Sequence, residues 1–203
     1  MNLSLKNRRT YQVATVISRL SDPFLIYSLI AFTGFFISPD QGRVGKLTLI
    51  LFILVMIATP FVLLAWAVAK GKVSNWYITN RQERPLALLV LIFLSLIDML
   101  VILRLGFFDL FGLFRLFSAW LIGFFGITLF WKVSGHTSSF TLASLLFTYW
   151  FGWPGFVLAA LVPLIAWARV VRGDHTLSQT IGGVVYSAAV VFASLKFGIF
   201  PLI

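Results

Sequence analysis

Between residues 47 and 69 no side chain is charged, and as a helix this run would reach ~34 Å at 1.5 Å per residue. A bilayer core is ~30 Å thick, and inside it every backbone N–H and C=O must find its partner within the protein. A run of this kind therefore has one stable solution, a transmembrane α-helix. Further uncharged or nearly uncharged runs lie at residues 24–37, 86–105, 113–131, 140–151, 156–171 and 180–200. Sixty per cent of the chain is hydrophobic and 11% charged, with a mean hydropathy of +1.00, which excludes a soluble domain. The expected fold class is all-α, a polytopic membrane helix bundle of six to seven spans.

The breaks between runs carry helix start and stop chemistry. Asp22-Pro23 reads as a helix start, and Pro85 suits the first turn of the span at 86–105. Residues 38–42 form a turn, Gly106 and Asp109 lie in a hairpin, and Pro60 sets a kink in the second span. Gly152-Trp153-Pro154 ends the fifth helix. Gly182, Gly183, Ala188 and Ala189 in the last span permit close helix packing. Ahead of the first span, Lys6, Arg8 and Arg9 precede Val13, Val16, Ile17 and Leu20 at one-face helical spacing. Residues 1–23 thus read as an amphipathic segment on the cytoplasmic membrane surface, and 24–203 as a single transmembrane domain. No small-residue site follows the first apolar run, so a cleavable signal peptide is not expected. The Phe-rich fourth span reads as lipid-facing, with no cofactor implied.

The chain has no cysteine, only two histidines and six scattered carboxylates, so thiolate chemistry is excluded and no metal site is expected. Its net charge of +10 sits mostly at helix ends, which points to lipid headgroups or a phosphorylated substrate and not to nucleic acid. Three polar loops follow spans two, four and six, so each returns to the membrane face of the N-terminus. Arg84, Lys132, His136, Arg169, Arg172 and His175 are expected to converge there, at the rim or in a wet cavity. The positive-inside rule makes that face cytoplasmic and would by itself place basic residues on one side. The run Lys132 to Ser138 is more specific. Ser134 or Thr137 can cap a following helix, Gly135 allows close backbone approach, and a helix N-terminus attracts phosphate beside His136.

In order and spacing these residues resemble the type 2 phosphatidic acid phosphatase family, whose motifs are Lys-x6-Arg-Pro, Pro-Ser-Gly-His and Ser-Arg-x5-His-x3-Asp. Arg84-Pro85 matches the end of the first, Ser134-Gly135-His136 most of the second, and Arg169 with His175 the third. The resemblance covers about residues 70–183. It implies the helical core shared with haloperoxidases and hydrolysis of a lipid phosphate or polyprenyl (di)phosphate through a phosphohistidine, with no cofactor or metal. It assigns His175 as nucleophile, His136 as general acid, and Arg84, Arg169, Ser134 and Gly135 as the phosphate cradle.

The departures are Tyr77 for the lysine, Val133 for the proline, Ala168 for the serine and Gln179 for the aspartate. Lys132 or Lys72 can replace the missing cradle charge. Gln179 becomes the residue that orients His175, through a carbonyl without a carboxylate's charge. Expected partners are the lipid phosphate and the surrounding membrane lipids, and a homo-oligomer stays open. The alternatives are a catalytically inactive relative, a small transporter, in which Asp98 and Arg115 would line a polar path, or a lipid-binding membrane protein.

Overall fold

A computed structural model describes residues 5–37, 46–76, 78 and 80–199, without the side chains of residues 5–7, 46–49, 51–53, 108 and 109. The regular structure in this range is helical, with no strand among the described residues. The predicted turn at 38–42 and Tyr77 lie outside it.

Helices α1 (Leu5–Leu20) and α2 (Pro23–Ile37) part at Asp22. Its Oδ1 accepts the Phe24 N–H at 2.9 Å, so the expected start signal works as an N-cap with Pro23 behind it. Helix α3 (Lys46–Ala69) contains Pro60. A 3-10 turn, Arg81–Glu83, leads into α4 (Arg84–Leu105), which has Pro85 in its first turn. Gly106, at φ 77°, ends α4. There the Phe107 N–H reaches Ile102 O and the Gly106 N–H reaches Leu103 O, the paired bonds of a Schellman closure. Closure buries Phe107 and Ile102 together, and Phe35, Leu110 and Phe114 complete the cluster. Helix α5 (Phe108–Phe130) then packs back along α4.

The remaining helices are α6 (Gly135–Phe151), α7 (Trp153–Ala160), α8 (Val162–Val171) and α9 (Leu177–Lys196). Gly152 takes a positive φ of 71° between α6 and α7, as the Gly-Trp-Pro break anticipates. A Cβ on Gly155 would meet the backbone of Thr148, so α7 folds tightly onto α6. The chain forms two compact units, one of residues 1–30 with 131–191 and one of residues 31–130 with 192–203.

Among the described residues five segments are long and apolar enough to cross a bilayer: Arg8–Ile37, Arg81–Leu105, Leu110–Phe130, Trp153–Val171 and Leu177–Lys196. Leu54–Ala69 is a shorter apolar helix.

The stripe Val13, Val16, Leu20 is exposed, and the buried side of α1 includes Ala14 and Ser18, small enough to let α1 lie against α8. Three expectations are corrected. Helix α5 is not simply lipid-facing: Phe114, Trp120 and Phe124 are buried, and the Trp120 ring stacks on Phe124 at 4.8 Å. The sixth predicted helix is split at Leu161, because Pro163 has no N–H to continue the ladder. Finally, α6 starts at Gly135, five residues before the expected Phe140, so most of the polar run belongs to a helix.

Candidate functional site

Helix α6 can begin inside a polar run because its first turns are capped and cross-linked. The Ser134 Oγ faces the Thr137 N–H at 3.5 Å as N-cap, and the Ser134 N–H donates to Gln179 O at 3.1 Å. Thr137 Oγ1 donates to Thr180 O at 3.0 Å, and the Ser138 and Ser187 hydroxyls lie 2.7 Å apart. Between these bonds α9 presents Gly183, where a Cβ would sit 2.6 Å from Thr137 Oγ1 and 2.7 Å from Ser134 O. Only glycine fits there without displacing the start of α6. Hydroxyls that look like a loop in sequence are thus satisfied between two buried helix backbones.

The same contact aims His175, which is 6% exposed. Its Nδ1 lies 3.2 Å from Lys132 O and 3.2 Å from Gln179 Oε1. Gln179 Oε1 also accepts the Thr176 N–H at 3.1 Å, and Thr176 Oγ1 accepts the Gln179 N–H at 3.3 Å. This is a capping box, the reciprocal bond pair of Thr-x-x-Gln at a helix start. It fixes which amide atom faces the histidine, since the Thr176 N–H can only be met by oxygen. Facing two acceptors, Nδ1 must carry the ring proton of a neutral His175, which leaves the lone pair on Nε2.

His136, 5% exposed in the first turn of α6, points its Nε2 at Arg169 Nη1, 3.5 Å away. Arg169 is 3% exposed, and the same Nη1 pairs with Asp174 Oδ2 at 3.0 Å. Arg172 Nε binds that oxygen as well, at 2.8 Å. Arg172 Nη1 reaches back to Thr15 Oγ1 on α1 at 2.9 Å, and its guanidinium lies 5.8 Å from the Tyr11 ring centre. Backbone bonds from Asp174 and His175 N–H to Arg169 O fold the segment after α8 over its own end. The side chains of His136, Arg169, Arg172 and Asp174 therefore form one cluster, buttressed by α1 through Arg172, and His175 is tied to it by its backbone N–H.

Of the expected site residues, His136, His175, Arg169, Ser134, Gly135, Lys132 and Gln179 all lie in the unit of residues 1–30 and 131–191. Lys132 supplies its carbonyl to His175, and the residue is half-buried. Arg84 belongs to the other unit, where its Nε donates to Ile78 O at 2.9 Å. Asp98 and Arg115 form no ion pair among the described residues; Arg115 donates to Gly198 O at 2.7 Å. No group of three or more His, Asp or Glu residues that could hold a metal occurs among the described residues. Sequence reasoning passed over Thr15, Tyr11 and Asp174 as partners of the arginines. It also passed over the capping box, although Thr176-Leu-Ser-Gln179 spells it out.

No protein-family model matches this chain, no curated protein matches its sequence, and no solved structure matches its fold.

Proposed function

We propose that this is a membrane lipid phosphatase working through a phosphohistidine. His175 Nε2 attacks phosphorus as the bond to the lipid oxygen breaks, and His136 delivers a proton to that departing oxygen. Water then attacks the phosphohistidine, releasing phosphate and restoring His175. Arg169, the Lys132 ammonium, the Ser134 cap and the Gly135 backbone offer positive charge and donors for the equatorial oxygens, where phosphoryl transfer needs them. The observation that carries it is the pair of acceptors on His175 Nδ1, which prepares Nε2 as a nucleophile at neutral pH.

The substrate class is a lipid phosphate or polyprenyl (di)phosphate, and the active face is cytoplasmic on the balance of basic residues, Lys6, Arg8, Arg9, Arg19, Lys70 and Lys72 against Arg43 and Lys46. The test is phosphate release by purified protein in detergent, without added metal, from phosphatidate and a polyprenyl diphosphate. Turnover that disappears in His175→Ala is the expected result, and equal turnover in His175→Ala and wild type ends the mechanism.

A second reading, a lipid-phosphate-binding relative without turnover, is favoured by the uncharged Gln179 behind His175. Binding of lipid phosphate with no release of phosphate would select it.

A further inference from the structure

Arg172 lies outside the three motifs, yet it is built into the cluster as firmly as Arg169. Both guanidiniums converge on a single atom, Asp174 Oδ2, at 2.8 and 3.0 Å. An oxygen of an anion held by N–H groups from two arginines is the arrangement by which proteins hold a phosphoryl oxygen. The oxygen is also next to the chemistry, because it shares Arg169 Nη1 with His136 Nε2. Asp174 and Arg172 are each 16% exposed, so the pair is reachable, whereas Arg169 behind them is 3% exposed. Thr15 Oγ1 and the Tyr11 ring fix Arg172 from the far side, so its direction does not depend on Asp174 alone. Thr15 is itself held, donating its hydroxyl hydrogen to Tyr11 O at 2.8 Å.

We infer that Arg169 and Arg172 form a two-arginine seat for the terminal phosphate of the substrate, and that Asp174 is its resident anion, displaced when the phosphate binds. The inference rests on the phosphate-ester reading above and narrows it to terminal monoester phosphates. Two guanidinium charges balance a dianion, whereas a phosphodiester brings only the single charge that Asp174 already supplies and gains nothing by displacing it. Asp174 then competes with substrate. It keeps two arginines ordered and neutralised while the site is empty, and it weakens phosphate binding by the strength of the charged bonds that must first break. A hydrogen bond to a charged partner exceeds a neutral one by enough to change an equilibrium about tenfold.

Inorganic phosphate is the probe, titrated into the purified full-length chain in detergent by calorimetry and by its effect on thermal unfolding. Asp174→Asn keeps the size and an acceptor oxygen but removes the charge, and phosphate affinity should rise about tenfold. Arg172→Gln should lower phosphate affinity by a similar factor, and methyl phosphate diester should bind neither variant nor wild type appreciably. Affinity in Asp174→Asn equal to or below wild type overturns the inference, since a carboxylate that merely orders the arginines would weaken binding when removed. If Asp174→Asn does not fold, Arg172→Gln decides: unchanged phosphate affinity overturns the seat. Turnover is not part of this readout. A chain that hydrolyses nothing yet binds phosphate more tightly as Asp174→Asn loses the enzyme reading and keeps the seat, and a turning-over chain indifferent to both variants does the reverse.

Discussion

Replacing Gln179 by glutamate changes one atom type at the point where fold and proposed chemistry meet. Gln179 Oε1 serves two donors, the Thr176 N–H at 3.1 Å and His175 Nδ1 at 3.2 Å. Glutamate has the same length, suits the same capping-box position and adds negative charge at a helix N-terminus, worth ~0.3–1 kcal/mol in favour of the fold. The bond to Nδ1 becomes charge-assisted and strengthens as the ring acquires positive charge during phosphoryl transfer. The gap between neutral and charged hydrogen bonds, ~1–1.5 kcal/mol, corresponds to a rate increase of about tenfold. Aspartate is shorter by one methylene, about 1.5 Å, and cannot serve both donors from this position. Gln179→Leu removes both bonds and should cost ~2 kcal/mol of stability, half from the cap and half from the histidine. The assay pairs phosphate release from a lipid phosphate with thermal unfolding in one detergent. A Gln179→Glu protein that melts no lower than wild type but releases phosphate more slowly would refute the role given to the Nδ1 acceptor.

His136→Ala should abolish release from a lipid phosphate and spare an activated aryl phosphate, whose leaving group needs no proton; loss of both would remove His136 as the acid. Gly183→Ala should lower stability by ~1–3 kcal/mol, because its Cβ would press on Thr137 Oγ1 and Ser134 O; an unchanged melting temperature would show that α6 and α9 are not held this closely. For sidedness, Gln82→Cys gives the chain its first cysteine, on an exposed residue beside the start of α4. An impermeant maleimide should label it in inverted vesicles and not in intact cells, and the opposite pattern reverses the assigned face.

Much of the helix punctuation was legible because backbone chemistry is local. Asp22-Pro23, Pro85, Gly106 and Gly152 each act within a turn or two of themselves, so no distant residue can overrule them. At the start of α6 the Ser134 cap was legible, but the turns after it were not. Thr137, Ser138 and Ser139 look like loop residues until Thr180, Gly183 and Ser187 come from another helix to meet them. The apolar spacing of α1 marked one face of the helix, but it gave no sign of the small-residue face that meets α8. Small residues faced α8, and Val13, Val16 and Leu20 faced outward. At the site, the motif spacing named His136 and Arg169, which touch, and His175, whose backbone bonds to Arg169. It could not name Thr15, because nothing in the order of residues says that the first helix will reach Arg172.

That reach has a consequence in time. Helix α1 ends at Leu20 and α8 begins at Val162, about 140 residues later, and synthesis at about 5–20 residues per second takes roughly seven to thirty seconds to cover them. The α4–α5 hairpin is closed by its own Gly106 turn, between residues that are neighbours in sequence. Arg172, by contrast, meets Thr15 only when a strip of chain made 157 residues earlier is still free to receive it, and Gln179 meets His175 only after α9 has followed. A nascent chain halted before Leu177 therefore lacks Gln179, and its His175 is left without a side-chain acceptor.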